Sequence, residues 1–136
     1  MTIRKATTAD YIHIVRSIQN KKLDYFNASH VRADIECGRC YVAEEQGKLI
    51  ASMSLVYDAT HNYHAMKRLS VFNKKNNGKG LAAMLIAHLV NECKGSKIGC
   101  TPWTDNTAMH HILEKQGFKC EYIFAEKWCF YSKTIG

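Results

Sequence analysis

The spacing of hydrophobic positions changes several times along the chain, and each change marks a new element. Residues 2–6 alternate, which predicts a short strand. Thr7 and Asp10 have the spacing of a capping box, with Asp in the place of the usual Glu or Gln. Tyr11, Ile14, Val15 and Ile18 then fall at i, i+3, i+4 and i+7, one face of an amphipathic helix. Ser29 is placed to cap a second, shorter helix through Cys37. Cys40–Glu45 and Lys48–Tyr57 are rich in β-formers, and Gln46-Gly47 between them predicts a hairpin. Asp58–Asn62 reads as a loop and Tyr63–Phe72 as a further strand.

The second half returns to the helical period. Leu81, Met84, Leu85, His88 and Leu89 share one face of a helix over Gly80–Cys93, and Gly95 follows where a C-cap glycine belongs. Ile98–Pro102 predicts a short strand. Asp105 or Asn106 caps a helix through Lys115 or Gln116, which Gly117 stops. Two last strands follow, about Lys119–Phe124 and Lys127–Ser132. The order β-α-α-β-β-β-α-β-α-β-β mixes hairpins with crossovers and implies a mixed α/β sheet with helices on its faces. There is no internal repeat.

Composition adds bounds. At 136 residues, 46% hydrophobic, with one proline and no low-complexity tract, residues 1–136 are expected to form a single domain with a real core. The formal charge of +7 favours anionic partners: phosphorylated cofactors, acidic substrates or nucleic acid. The basic residues are dispersed and form no long like-charge run, which argues against a nucleic-acid arm. Met1-Thr2-Ile3-Arg4-Lys5 leads into no apolar segment and no run reaches membrane-spanning length, so a cytoplasmic protein with no membrane contact is expected. Cys37-Gly38-Arg39-Cys40 is a C-x-x-C without a second pair at zinc spacing. The six cysteines read as small, partly buried thiols, and no metal is implied.

The candidate chemistry starts at Asn77-Gly78-Lys79-Gly80-Leu81-Ala82, which follows a strand and opens a helix. Two glycines let the backbone approach a ligand, and the helix that follows points unpaired N–H groups and about half a positive charge into that space. Phosphate or pyrophosphate suits such a place, with Lys74, Lys75 and Lys79 as mobile cations. The plain alternative is a strand-to-helix turn with solvated lysines.

Three features together resemble the GNAT superfamily of acyl-CoA-dependent N-acyltransferases. The order of elements is similar over essentially the whole chain. Asn77–Ala82 looks like the family's cofactor loop, usually Arg/Gln-x-x-Gly-x-Gly/Ala. Asn106 through Glu114-Lys115-Gln116-Gly117-Phe118 looks like its later helix. The resemblance implies a central mixed sheet of about seven strands flanked by about four helices. It also implies acetyl-CoA as co-substrate in a gap where the fourth and fifth strands diverge. Backbone groups of Leu69, Ser70 and Val71 would then pair with the pantetheine arm, and an N–H near Val71 or Phe72 would polarise the thioester carbonyl. Amides of Asn77, Gly78, Lys79, Gly80, Leu81 and Ala82 would hold the pyrophosphate, and Asn106 would reach the pantetheine or the loop.

Two positions depart from the family pattern. Asn77 stands where Arg or Gln is usual, with a stretch Phe72–Asn76 one residue longer than usual unless Phe72 takes the strand-end position. Leu113 stands where many members place a Tyr as general acid, and Leu has no proton to give. Replacement acids are Tyr122 and Tyr131 on the closing strands. His64, on the central strand, is the candidate base, with His61 in the loop before it. Glu44 and Glu45 lie at the end of a hairpin strand, a neighbourhood from which many members of the family use a carboxylate, although a solvated hairpin suits them better; Asp58 and Asp105 could meet a cationic substrate. His110 and His111 are adjacent on a helix, so one packs and the other meets solvent. The aromatic residues Tyr122, Phe124, Trp128, Phe130 and Tyr131 would form strand core, a wall of the acceptor pocket, or an edge for a second copy in a homodimer.

The expected function is therefore N-acetyl transfer from acetyl-CoA to a small-molecule amine. Leu113 favours one rival, a catalytically weak acyl-CoA-binding sensor. The net charge motivates another, a nucleic-acid-binding module, which the dispersed lysines oppose.

Overall fold

The computed structural model describes residues 1–20, 28–72, 80–93 and 95–135. In chain order the elements are β1 (Thr2–Lys5), a 3-10 turn (Thr8–Asp10), α1 (Tyr11–Asn20), α2 (Ala28–Glu36), β2 (Cys40–Glu45), β3 (Lys48–Asp58), β4 (Tyr63–Val71), α3 (Leu81–Glu92), β5 (Lys97–Cys100), α4 (Thr107–Lys115), β6 (Lys119–Phe124) and β7 (Trp128–Thr134). The seven strands form one mixed sheet in the order β1-β2-β3-β4-β5-β7-β6. β4 and β5 run parallel, which needs a crossover such as α3, while β1–β2, β2–β3, β5–β7 and β6–β7 are antiparallel. This is the α/β architecture that the spacing of apolar residues predicts. One local expectation is corrected: α2 begins at Ala28, so Ser29 lies inside its first turn and does not cap it from outside.

The described residues divide into two compact units, Met1–Val56 with Lys67–Leu85 and Tyr57–Met66 with Ile86–Gly136. In the first, Ala6, Ile14, Val15, Val31, Ile35, Cys40, Val42 and Phe72 form a buried cluster, with Tyr11, Ala28 and Leu49 packed against it. The apolar stripe of α1 is thus the face it buries, although the side chain of Ile18 lies outside the described set. The β2–β3 hairpin turns through Gln46 and Gly47, both with positive φ (51° and 76°), the pairing whose twist matches the flanking strands.

Arg4 fastens the first strand. Its Nη1 and Nη2 donate to Asp10 Oδ2 and Oδ1 at 2.8 and 3.1 Å, and Nη2 also donates to Glu44 Oε2 at 2.7 Å. Asp10 in turn accepts the Thr7 N–H at 2.7 Å, so it joins the strand end to the 3-10 turn. The Arg4 guanidinium holds the Asp10 carboxyl below its ordinary range, against the opposing effect of burial. Glu44 is engaged in this cluster and is not a solvated hairpin carboxylate.

In the second unit, β5 lies between β4 and β7. Its partners on β4 are His64 (with Ile98) and Ala65 (with Gly99), and on β7 the ladder runs from Lys97↔Thr134 to Cys100↔Tyr131. Ile86, Leu89, Ile98, Leu113, Phe118 and Phe130 are buried. Gly99 is a point of close approach: a Cβ there would lie 2.9 Å from the carbonyl oxygen of Tyr131 and 3.0 Å from the rings of Phe130 and Tyr63. β6 closes the sheet as an edge strand with every residue exposed.

Two outcomes follow from this packing. Gly99→Ala forces backbone and two rings apart and should lower stability by about 1–3 kcal/mol in urea unfolding, with the apolar character of the site giving no compensation. Asp10 has a depressed pKa, so its contribution is complete above the ordinary carboxylate value of about 3.9 and is lost as pH falls toward the folded value. Asp10→Asn should therefore be less stable than the parent at pH 7, and the gap should narrow at pH 3.

Candidate active site

β4 carries Leu69, Ser70 and Val71, the backbone that the sequence leads one to expect beside an acyl donor. Its pairing with β5 stops at Ala65, so the residues from Met66 onward run past the last β5 partner. Ser70 is buried, and its hydroxyl sits 3.1 Å from that of Ser17 on α1. Phe72 donates its N–H to the Ile50 carbonyl at 2.8 Å. Of the two strand-end donors considered, Phe72 is thus committed to β3. Between Lys67 and Leu69 the backbone departs from strand geometry. Arg68 has φ +57°, a left-handed conformation that costs a residue with a Cβ roughly 1–2 kcal/mol.

The start of α3 follows. Gly80 has φ +74°, and a Cβ built on it would meet nothing within 4 Å, so the bend opens onto free space. Its carbonyl accepts the Met84 N–H at 3.0 Å, which makes it the residue that closes the first helical turn. The N–H groups of Leu81 and Ala82 lie in that turn, where no intrahelical acceptor is available to them. Asn77, Gly78 and Lys79, with Lys74 and Lys75, lie outside the described residues.

Asn106 caps α4, its side-chain oxygen accepting the Met109 N–H at 3.2 Å. The cap uses the acceptor of the amide and leaves its two donors for other partners. Leu113 on the same helix is fully buried.

The titratable candidates occupy different surroundings. His64 on β4 is half-buried, with its ring 5.0 Å from that of Tyr57. His61 and Asp58 pair at 3.0 Å on an exposed loop, and the His61 contact holds the Asp58 carboxyl below its usual range. Tyr122 on β6 is 54% exposed and stacks on Phe124 and Phe130. Tyr131 is buried, with its hydroxyl donating to Glu114 Oε1 at 3.0 Å and 2.8 Å from His110 Nδ1. Burial and the Glu114 hydrogen bond push the Tyr131 hydroxyl up to about 12. His110 Nε2 faces two carbonyl oxygens, of Trp103 at 2.9 Å and Thr104 at 3.1 Å. His111 is exposed. Among the described residues no group of three His, Cys, Asp or Glu could hold a metal ion, and no helix is long and apolar enough to cross a membrane.

Two clusters have no counterpart in the sequence reading. His110 and Glu114 stand at i, i+4, so their convergence on Tyr131 had a signal in the helical spacing. Asp34 had a signal too. It interrupts the buried face Val31–Ile35 of α2 with a charge. There it accepts from Ser54 Oγ at 2.7 Å, Arg68 Nε at 2.8 Å and Arg39 Nε at 3.3 Å.

The comparisons with known proteins bear on this arrangement. The model of the acetyltransferase (GNAT) family matches residues 7–118. No curated protein matches the chain significantly. Among solved structures, a GNAT-family acetyltransferase from Streptococcus agalactiae is 22% identical with a TM-score of 0.78, over 99% of this chain and 95% of that one. Naa50 of Arabidopsis thaliana, solved with the bisubstrate analogue CoA-Ac-MVNAL, is 14% identical with a TM-score of 0.80, over 98% of each chain. An aminoglycoside 6'-N-acetyltransferase complexed with coenzyme A is 14% identical with a TM-score of 0.82, over 100% of this chain and 98% of that one. At these identities the likeness to solved structures is one of fold, and the family match covers most of the length. With its crossover from β4 through α3 to β5 and its capped α4 in the order the family requires, this chain belongs to the GNAT family of acetyltransferases.

Proposed function

We propose that residues 1–136 act as one acetyltransferase domain that moves the acetyl group of acetyl-CoA to a small-molecule amine by direct transfer in a ternary complex. The observation that carries this reading is the early end of the β4–β5 ladder at Ala65, followed on β4 by Leu69–Val71 and then by the glycine-opened start of α3. An extended pantetheine arm can add to such a strand edge through backbone hydrogen bonds. The Val71 N–H would polarise the thioester carbonyl. The N–H groups of Leu81 and Ala82, with the preceding Asn77–Gly80 segment, would hold the pyrophosphate.

The reaction then needs two proton movements. The amine nitrogen attacks the carbonyl carbon, the carbon–sulfur bond breaks, and the coenzyme thiolate leaves with the electron pair. His64 is the residue assigned to take the proton from the amine. Leu113 supplies no acid, so Tyr131 or Tyr122 is assigned to protonate the thiolate. Of the solved structures similar in fold, the aminoglycoside 6'-N-acetyltransferase was captured with coenzyme A and Naa50 with the bisubstrate analogue CoA-Ac-MVNAL. Small amines are the acceptor class assigned here, and the cytoplasm the compartment where acetyl-CoA would be met. The buried Leu113 also favours a second reading, an acyl-CoA sensor, which would bind the coenzyme and turn over no amine.

A thermal-shift titration separates these. At about 100 times Kd, acetyl-CoA should add about 2.7 kcal/mol, a rise of about 5–15 °C for a domain of this size. Gly80→Val places a branched residue at φ +74° in the open space before α3 and should abolish most of that shift. No shift in the parent would remove the cofactor reading, and a shift without turnover on a panel of amines would favour the sensor. Tyr131→Phe strands His110 and Glu114 and should cost about 1–3 kcal/mol in urea unfolding. It should also lower kcat with the KM for acetyl-CoA unchanged. An unchanged kcat would leave Tyr122 as the acid.

A further inference from the structure

The strand that carries Leu69–Val71 contains a residue in a conformation strands do not use. Gln46, Asn62, Ala125 and Glu126, the other non-glycine residues with positive φ among those described, lie in turns, whereas Arg68 lies inside β4. Strain of this kind persists only where the surroundings over-determine it. Here the surroundings are a buried carboxylate. Arg68 Nε and Nη2 both reach Asp34 Oδ2, at 2.8 and 2.6 Å, with side-chain exposures of 16% and 3%. Asp34 is fixed independently of Arg68, by the Ser54 hydroxyl from β3 and the Arg39 guanidinium, and its own carbonyl accepts the Arg39 N–H at 2.9 Å. Ser70 reaches Ser17 of α1, and Phe72 joins the cluster that α1 and α2 bury, so Arg68, Ser70 and Phe72 share the helix-facing side of the strand.

We infer that Asp34 is a positioning residue for acyl-donor binding: its hold on the Arg68 guanidinium keeps Arg68 left-handed and thereby sets the direction of the peptide groups at Leu69–Val71. The left-handed residue changes the plane of the peptide that joins it to Leu69, and the ion pair keeps the strand from relaxing to an extended φ. The inference rests on the acetyl-CoA reading given above.

Two substitutions at one position separate conformation from charge. Arg68→Ala and Arg68→Gly remove the same guanidinium and leave Asp34 with the same two partners. They differ in that glycine takes a left-handed φ without cost. Isothermal titration with acetyl-CoA should show Kd raised about tenfold in Arg68→Ala and within about threefold of the parent in Arg68→Gly. Adenosine 3',5'-bisphosphate, which has no pantetheine arm, should bind all three proteins alike, a pattern that a general loss of stability would not produce. Equal acetyl-CoA affinity in folded Arg68→Ala and parent overturns the inference, as does an Arg68→Gly protein as weak as Arg68→Ala. A parent that binds neither ligand removes the reading beneath it and the inference with it. If Arg68→Ala does not fold, Ser54→Ala carries the test, since it takes one hydrogen bond from Asp34 and keeps both arginines. A Kd for acetyl-CoA raised about threefold is then expected, and an unchanged one overturns the inference.

Discussion

A carboxylate on the buried face of a helix has to be answered from every side. Asp34 is 2% exposed, and a charge so placed is tolerated only when paired and fully hydrogen-bonded. The partners it draws come from separate parts of the chain: Ser54 from β3, Arg39 from the turn before β2 and Arg68 from β4. None of these is a sequence neighbour on the helix, so satisfying one carboxylate fixes α2 against two strands. Removing one partner would be more harmful than the net worth of the pair suggests, because the charge left behind stays buried. The apolar cluster of Ile14, Val15, Val31 and Ile35 supplies driving force without direction. The carboxylate supplies direction.

The same division explains what could be read from the sequence. The elements were legible because their signals are local: the stripe of α1, the runs of β-formers in β2 and β3 and the Gln46-Gly47 turn are patterns with one structural answer. The cap of α4 was legible as Asp105 or Asn106, because a short polar side chain there can accept the N–H of the residue three ahead, and the structure selects Asn106. Boundaries moved by a residue or two where the last side chains lack a period of their own, as at β5, Lys97–Cys100 rather than Ile98–Pro102. Ser29 misled because a hydroxyl near a helix start fits either the cap or the first turn.

What could not be read were meetings between residues far apart in the chain. Tyr131 stood out in the sequence as a candidate acid, but its hydroxyl is bound by His110 and Glu114 of α4, with β6 between them in the chain, which no pattern in β7 announces. Arg68 was one basic residue among the 19 Lys and Arg of the chain, and nothing in its neighbours predicts a left-handed φ inside a strand. The cofactor-loop reading rested on glycine spacing. Of that loop Gly80, Leu81 and Ala82 are described, and Gly80 has a positive φ with no atom within 4 Å of a Cβ placed on it. Leu113 is the reverse case, a departure from the family pattern visible in the sequence, whose burial makes it a core residue of α4.

The thiols have a practical side. Acetyl transfer from a thioester liberates a coenzyme thiol, and the direct way to follow it is a chromogenic thiol reagent, which reacts with thiolates. Burial pushes Cys40 and Cys100 up to about 12 and Cys93 up to about 11, and Cys129 is raised as well. Cys37 and Cys120 are the two of the six that are exposed. The fold thus keeps most of its own sulfur out of reach of the reagent, and the colour that develops in a folded sample would report the coenzyme against a background of two side chains per molecule.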